Sequence, residues 1–83
     1  MIEWYERTEN GVTSRVPAQQ AIDEGSEAMA DRIGRRERVR KIDRTPVRKA
    51  PGDSERYFYY AITYTDDRHV VLVPLRKAGK PAA

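Results

Sequence analysis

Residues 4–16 read Trp4-Tyr5-Glu6-Arg7-Thr8-Glu9-Asn10-Gly11-Val12-Thr13-Ser14-Arg15-Val16. Asn10 and Gly11 both tolerate the positive φ that a type I′ turn demands, so the stretch predicts a β-hairpin closed by a two-residue loop. That loop sets the register: Tyr5 faces Val16, Glu6 faces Arg15 and Arg7 faces Ser14. Tyr5, Val12 and Val16 then share one side. Trp4, Glu6 and Arg15 share the other, where Glu6 and Arg15 form a favourable cross-strand charge pair.

The next segment supplies cover for the apolar side. Pro17 suits the first turn of a helix, where its missing N–H costs nothing. Ala18, Ala21, Ile22, Gly25, Ala28, Met29 and Ile33 recur at helical spacing, with polar residues opposite. Asp23, Glu24 and Glu27 precede Arg32, as the helix dipole favours, and Gly34 is a natural terminating residue. The pattern predicts a helix over about 17–33. Gly25 either weakens it by roughly 1 kcal/mol relative to alanine or marks a close approach to the sheet.

A second hairpin follows from Arg56–Thr65 and His69–Arg76. A four-residue loop, Thr65-Asp66-Asp67-Arg68, places Pro74 opposite Tyr59 at a position where the ladder needs no N–H. In that register Phe58, Tyr60, Ile62 and Tyr64 share a side with His69, Val71, Val73 and Leu75. Tyr57, Tyr59, Ala61 and Thr63 share the other with Val70, Leu72, Pro74 and Arg76. Pro74 also predicts an edge strand. Between helix and hairpin, Val39 and Ile42 suit either a helical turn or an edge strand, and we read a strand over 37–44. Pro46, Pro51 and Gly52 make 46–55 mostly loop. Residues 77–83 read as a flexible tail. The order predicts one α+β domain over 1–76: a small antiparallel sheet of two hairpins with one amphipathic helix on a face.

The chain has 83 residues, no cysteine and one histidine. That composition excludes a disulfide framework, a thiolate nucleophile and cysteine-based metal sites. The acidic residues have no calcium-loop spacing and read as solvated surface. No phosphate-binding glycine motif is present, so no cofactor is expected. The acidic N-terminal stretch and short apolar runs predict neither export nor membrane insertion, hence a cytoplasmic protein.

Charge is distributed unevenly behind a net of +3. Residues 1–31 hold two arginines against seven acids, residues 32–49 nine cations against two acids, and residues 50–83 five cations against four acids. The basic segment suits phosphate contacts whose strength comes from counterion release. Its candidate binding residues are Arg35, Arg36, Arg38, Arg40, Lys41, Arg44, Arg48 and Lys49, with Tyr57 and Tyr59 as stacking platforms for unpaired bases of DNA or RNA. A bland reading stands beside this one: arginines on a solvated face, several held by acids, with Asp31 and Arg35 as an i, i+4 pair. A second functional reading is a protein-binding module without nucleic acid. There the cations meet an acidic protein surface, or Tyr57, Tyr59, Val70 and Leu72 form the seam of a homodimer.

Catalysis has one candidate, His69, which is near Asp66, Asp67 and Tyr64 in sequence and titrates in the useful range. No serine lies in a nucleophile-elbow pattern. The span Arg56-Tyr-Phe-Tyr-Tyr-Ala-Ile-Thr-Tyr-Thr-Asp-Asp-Arg-His-Val-Val-Leu-Val-Pro-Leu-Arg76 is similar to the C-terminal hairpin of ribosome-dependent ribonuclease toxins, and covers about a quarter of the chain. The resemblance implies a small basic ribonuclease using Arg, Lys, Tyr or His. The first half departs from it, with a hairpin and one helix where those toxins have two helices. A non-enzymatic binding protein is the reading the residues favour.

Overall fold

The computed structural model describes residues 2–34, 37–47 and 57–75. The chain runs β1 (Trp4–Glu9), β2 (Val12–Pro17), α1 (Ala18–Ile33), β3 (Val39–Pro46), β4 (Phe58–Tyr64) and β5 (His69–Leu75). The strands form one antiparallel sheet in the order β2-β1-β5-β4-β3, with α1 across one face. This is the α+β architecture the sequence predicts. Arg35, Arg36, Arg48, Lys49, most of the 46–55 loop and the tail lie outside the described residues.

The first hairpin has the expected register, Tyr5 opposite Val16 and Glu6 opposite Arg15. Asn10 and Gly11 take φ of 49° and 88°, as the turn requires. Asn10 has a further role: its N–H donates to the His69 carbonyl at 3.0 Å, and its Oδ1 accepts from the His69 N–H at 2.8 Å. The turn is thus tied to the start of β5. Gly11→Ala places a Cβ in left-handed backbone and is expected to cost about 1–2 kcal/mol, seen as a lower urea midpoint with an unchanged m-value.

Helix α1 starts one residue later than predicted, with Pro17 as the flanking cap. Proline has no side-chain acceptor to offer, and the Glu3 carbonyl instead takes the first helical N–H, that of Ala18, at 2.9 Å. Gly34 ends the helix at φ −77°, outside the left-handed region, through its N–H to the Ala30 carbonyl at 2.8 Å. The buried stripe is Ala18, Ala21, Gly25, Ala28 and Asp31, while Ile33 is exposed. Small residues on the helix meet large ones on the sheet, where Tyr5, Tyr60, Ile62, Tyr64, Val70 and Leu72 fill the core. Gly25 is a point of close approach: a Cβ there would stand 2.5 Å from Cζ of Tyr60.

The second hairpin departs from the sequence reading by one residue. Tyr60 faces Leu72 and Thr63 faces His69, so three residues, 65–67, form the loop. Asp67 takes φ of 71°, the Asp67 N–H donates to the Tyr64 carbonyl, and the Tyr64 N–H donates to the Arg68 carbonyl. This is the turn-plus-left-handed-residue geometry common to three-residue hairpin loops. A one-residue slip turns every side chain of a strand to the opposite face. Val70, Leu72 and Pro74 therefore lie in the core with Tyr60, Ile62 and Tyr64, and His69, Val71, Val73 and Leu75 share the other face with Tyr59, Ala61 and Thr63.

Pro74 is also not on an edge strand, since β5 lies between β1 and β4. Instead, the β4–β5 ladder ends at Tyr60–Leu72, before reaching it. Continued one step, that ladder would ask the proline nitrogen to donate to the Phe58 carbonyl. The Tyr5 hydroxyl, reaching over from β1, donates to that carbonyl at 2.9 Å. Burial pushes the Tyr5 phenol up to about 12, against the lesser lowering by that backbone contact.

Candidate nucleic-acid interface

The basic segment becomes an edge. Among the described residues β3 pairs only with β4, which makes it an edge strand of the sheet. Charged residues on such a strand discourage further strand pairing, which by itself accounts for part of the arginine and lysine content here. A register shift between Val39 and Lys41 marks a bulge at Arg40, a device that re-aims side chains.

The described cations leave this edge in different directions. Arg38 turns toward the helix, with Nη1 3.5 Å from Asp31 and 3.8 Å from Glu27. Arg40 reaches the 65–67 turn, where Nη2 lies 3.4 Å from Asp67 and 3.5 Å from the Thr65 carbonyl. Lys41 is 3.8 Å from Asp43 on the open face of the sheet. Arg44 lies with its guanidinium carbon 4.5 Å from the centroid of the Phe58 ring. They share a strand edge and its entry, not a single flat face.

These pairs differ in consequence. Exposed ion pairs contribute about 0–1 kcal/mol because water competes for both partners, and those of Arg40 and Lys41 are of that kind. Arg38 is different, because Asp31 is buried at 6% exposure and is the one buried charged residue among those described. The sequence predicts a solvated Asp31 paired with Arg35, and the burial of Asp31 near the helix end corrects the first part of that expectation. Glu24 is likewise not plain surface. Arg7 holds it through two parallel bonds, Nε to Oε1 at 2.8 Å and Nη2 to Oε2 at 2.9 Å, and reaches Glu9 at 2.8 Å. Those hydrogen bonds, the Glu24 pair first, raise the guanidinium pKa further above its ordinary value.

The aromatic candidates separate. Tyr57 is buried at 7% exposure, and its hydroxyl accepts from the Ile2 N–H at 3.4 Å. It cannot stack on a base without leaving the core. Val70 and Leu72, proposed as interface residues, are fully buried within the chain; the one-residue slip is the reason. Tyr59 alone of the four is exposed, at 41%. It lies opposite Thr45 on the open face, the face that Lys41 also occupies. Trp4, exposed at 43%, joins that face from β1. The hairpin alternation already put Trp4 opposite to Tyr5 in facing; only the correct β5 register shows that Val71, Val73 and Leu75 share its face, with Leu75 directly opposite it.

His69 lies on the same face, with Nδ1 3.1 Å from Thr63 Oγ1. The acids near it in sequence are engaged elsewhere. Asp66 accepts from the Arg68 backbone N–H at 3.2 Å and from its Nε at 3.0 Å, contacts that hold the carboxyl below its ordinary pKa, and Asp67 faces Arg40. The Tyr64 hydroxyl donates to Glu24 at 3.5 Å. The structure does not bring Asp66, Asp67 and Tyr64 together around the imidazole.

Among the described residues no His, Asp and Glu side chains group as three or more metal ligands, and no helix is long and apolar enough to cross a membrane. The chain matches no family model, no curated protein and no solved structure.

Proposed function

We propose that the protein is a small, non-enzymatic, cytoplasmic binding protein that engages the phosphate backbone of DNA or RNA along its cationic edge strand. The observation that carries this reading is the placement of Arg40, Lys41 and Arg44 on the edge strand β3, all exposed. The acids beside Arg40 and Lys41 are themselves exposed. A phosphate can displace such partners at little cost, because arginine binds phosphate through a planar two-point fork and releases condensed counterions in doing so. Arg38 also faces the buried Asp31, so phosphate binding through it would disturb that ion pair.

The test is fluorescence anisotropy with labelled single- and double-stranded oligonucleotides over a salt series. Wild type is expected to bind with a steep log–log salt dependence. The triple variant Arg40→Ala, Lys41→Ala, Arg44→Ala is expected to bind more weakly to every sequence, with the slope reduced by about 2–3. Circular dichroism checks that the variant stays folded. No binding by wild type at about 50 mM salt, where counterion release is strongly favourable, would remove the reading. The edge charges would then serve protection of the strand or an acidic protein surface.

A further inference from the structure

We infer that a second copy of this chain packs against the open face of the sheet, sheet to sheet. This surface shares Lys41 with the phosphate contacts proposed for β3 but stands on different observations.

The first is the pattern of β5. A sheet covered on one side alternates apolar and polar residues along each strand, whereas a strand covered on both sides reads as a continuous apolar run. Val70-Val71-Leu72-Val73-Pro74-Leu75 is such a run, and it occupies the centre of the sheet. Its inward residues, Val70, Leu72 and Pro74, are covered by the chain itself. Among the described residues, no layer lies over its outward residues, Val71, Val73 and Leu75; they are half-buried by their own neighbours, with exposed Trp4 and Tyr59 on either side.

The second is charge. Around that apolar centre the paired positions of the open face carry Glu6 and Asp43 as well as Arg15 and Lys41, so both signs are present. A polyanion selects a face with excess cations, while a copy of the same face needs both signs. The arrangement suits a twofold axis along β5. β5 then lies over β5, β1 over β4 and β2 over β3, as in aligned sheet packing. Trp4, level with Leu75, comes beside Tyr59 of the partner subunit, which is level with Val73. Arg15, also level with Val73, comes beside Asp43 of the partner subunit, which is level with Val71.

The third is area. Five strands at about 4.8 Å and six residues at about 3.3 Å give a plan of roughly 500 Å² per copy. Standard interfaces bury about 800 Å² per partner, so the dimer falls at the small, transient end of the range.

Sedimentation equilibrium of the full chain is expected to show a concentration-dependent shift from 9.6 kDa to twice that mass. Trp4 is the only tryptophan, and its emission should move to shorter wavelength with the same midpoint. Val73→Lys, at the centre of the face, is expected to raise the dissociation constant at least 100-fold while leaving the far-ultraviolet circular dichroism unchanged. Trp4→Ser, at a more exposed position, gives the same reading if Val73→Lys fails to fold. Arg15→Asp should weaken association at least tenfold, and the double variant Arg15→Asp, Asp43→Arg should recover it. A chain that stays at 9.6 kDa through the millimolar range overturns the proposal. So does a dimer whose Trp4 emission does not move, or one that survives both Val73→Lys and Trp4→Ser in folded protein.

Discussion

Gly25→Ala is expected to lower the stability of the fold by roughly 2 kcal/mol, although replacing a mid-helix glycine with alanine ordinarily adds about 1 kcal/mol. The sign reverses because of one contact. The added methyl would lie 2.5–2.6 Å from three atoms of the Tyr60 ring. That ring is buried at 4% exposure, with Phe58 6.2 Å away on its own strand. Either the helix lifts from the sheet or the ring leaves its rotamer, and core overpacking of this kind costs about 1–3 kcal/mol. A double-mutant cycle isolates the contact. In a Tyr60→Leu background, Gly25→Ala should become neutral or stabilising, because the propensity gain survives and the clash does not. Equal effects of Gly25→Ala in both backgrounds would refute the account. Urea denaturation supplies the four free energies.

Tyr5→Phe is expected to cost about 1–2 kcal/mol at neutral pH, since it removes the hydroxyl that donates to the part-buried Phe58 carbonyl. The same hydroxyl gives the protein a pronounced alkaline sensitivity. In the unfolded chain Tyr5 loses its proton near the ordinary value of 10.0, and in the folded chain only near 12. Between those values the unfolded state releases a proton that the native state retains, so stability falls as pH rises. A shift of this size corresponds to roughly 2–3 kcal/mol, present below pH 10 and lost by about pH 12. Tyr64, raised mainly by burial and then by the nearby Glu24 carboxylate, adds to the loss in the same direction. Denaturation midpoints measured from pH 9 to 12 should therefore fall steeply in wild type and less steeply in Tyr5→Phe. Parallel curves for the two proteins would show that Tyr5 is not the titrating group.

The elements specified by short-range chemistry were legible in the sequence. Asn10-Gly11 determined one hairpin to the residue, and the alanine-rich stripe located the helix to within one position. The strand in the arginine-rich stretch was found too, shifted by two residues. The second hairpin was not, and the reason is physical. A lone hairpin has no answer to the missing N–H of Pro74, so a four-residue loop that avoids the problem looks preferable. In the fold a third strand supplies the answer, because Tyr5 offers a hydroxyl that nothing near Pro74 in sequence announces. The choice of loop then decided which residues of β5 faced outward, and with it the composition of the candidate surface. Val70 and Leu72 moved into the core, and Val71, Val73 and Leu75 moved out. Tyr57 has a similar history: a tyrosine just before a strand carries no mark of the contact its hydroxyl makes with Ile2, 55 residues away in the chain. Of the basic segment, the sequence conveyed the density of cations but not that they spread along an edge, or that Arg38 is committed to a buried aspartate.

The pairing of β1 with β5 also has a kinetic consequence. Trp4 lies opposite Leu75, so the two halves of the sheet join through strands from opposite ends of the described chain. The β1–β2 hairpin and α1 can form early from neighbouring residues, as can the β4–β5 hairpin. Their union requires closing a loop across most of the sequence before any core contact compensates the lost entropy, which makes it the slow step. Until β5 arrives during synthesis, β1 presents a bare edge beside an uncovered Tyr5. Such intermediates aggregate by strand addition. A truncation just before His69 should accordingly yield insoluble protein, and not a smaller folded domain.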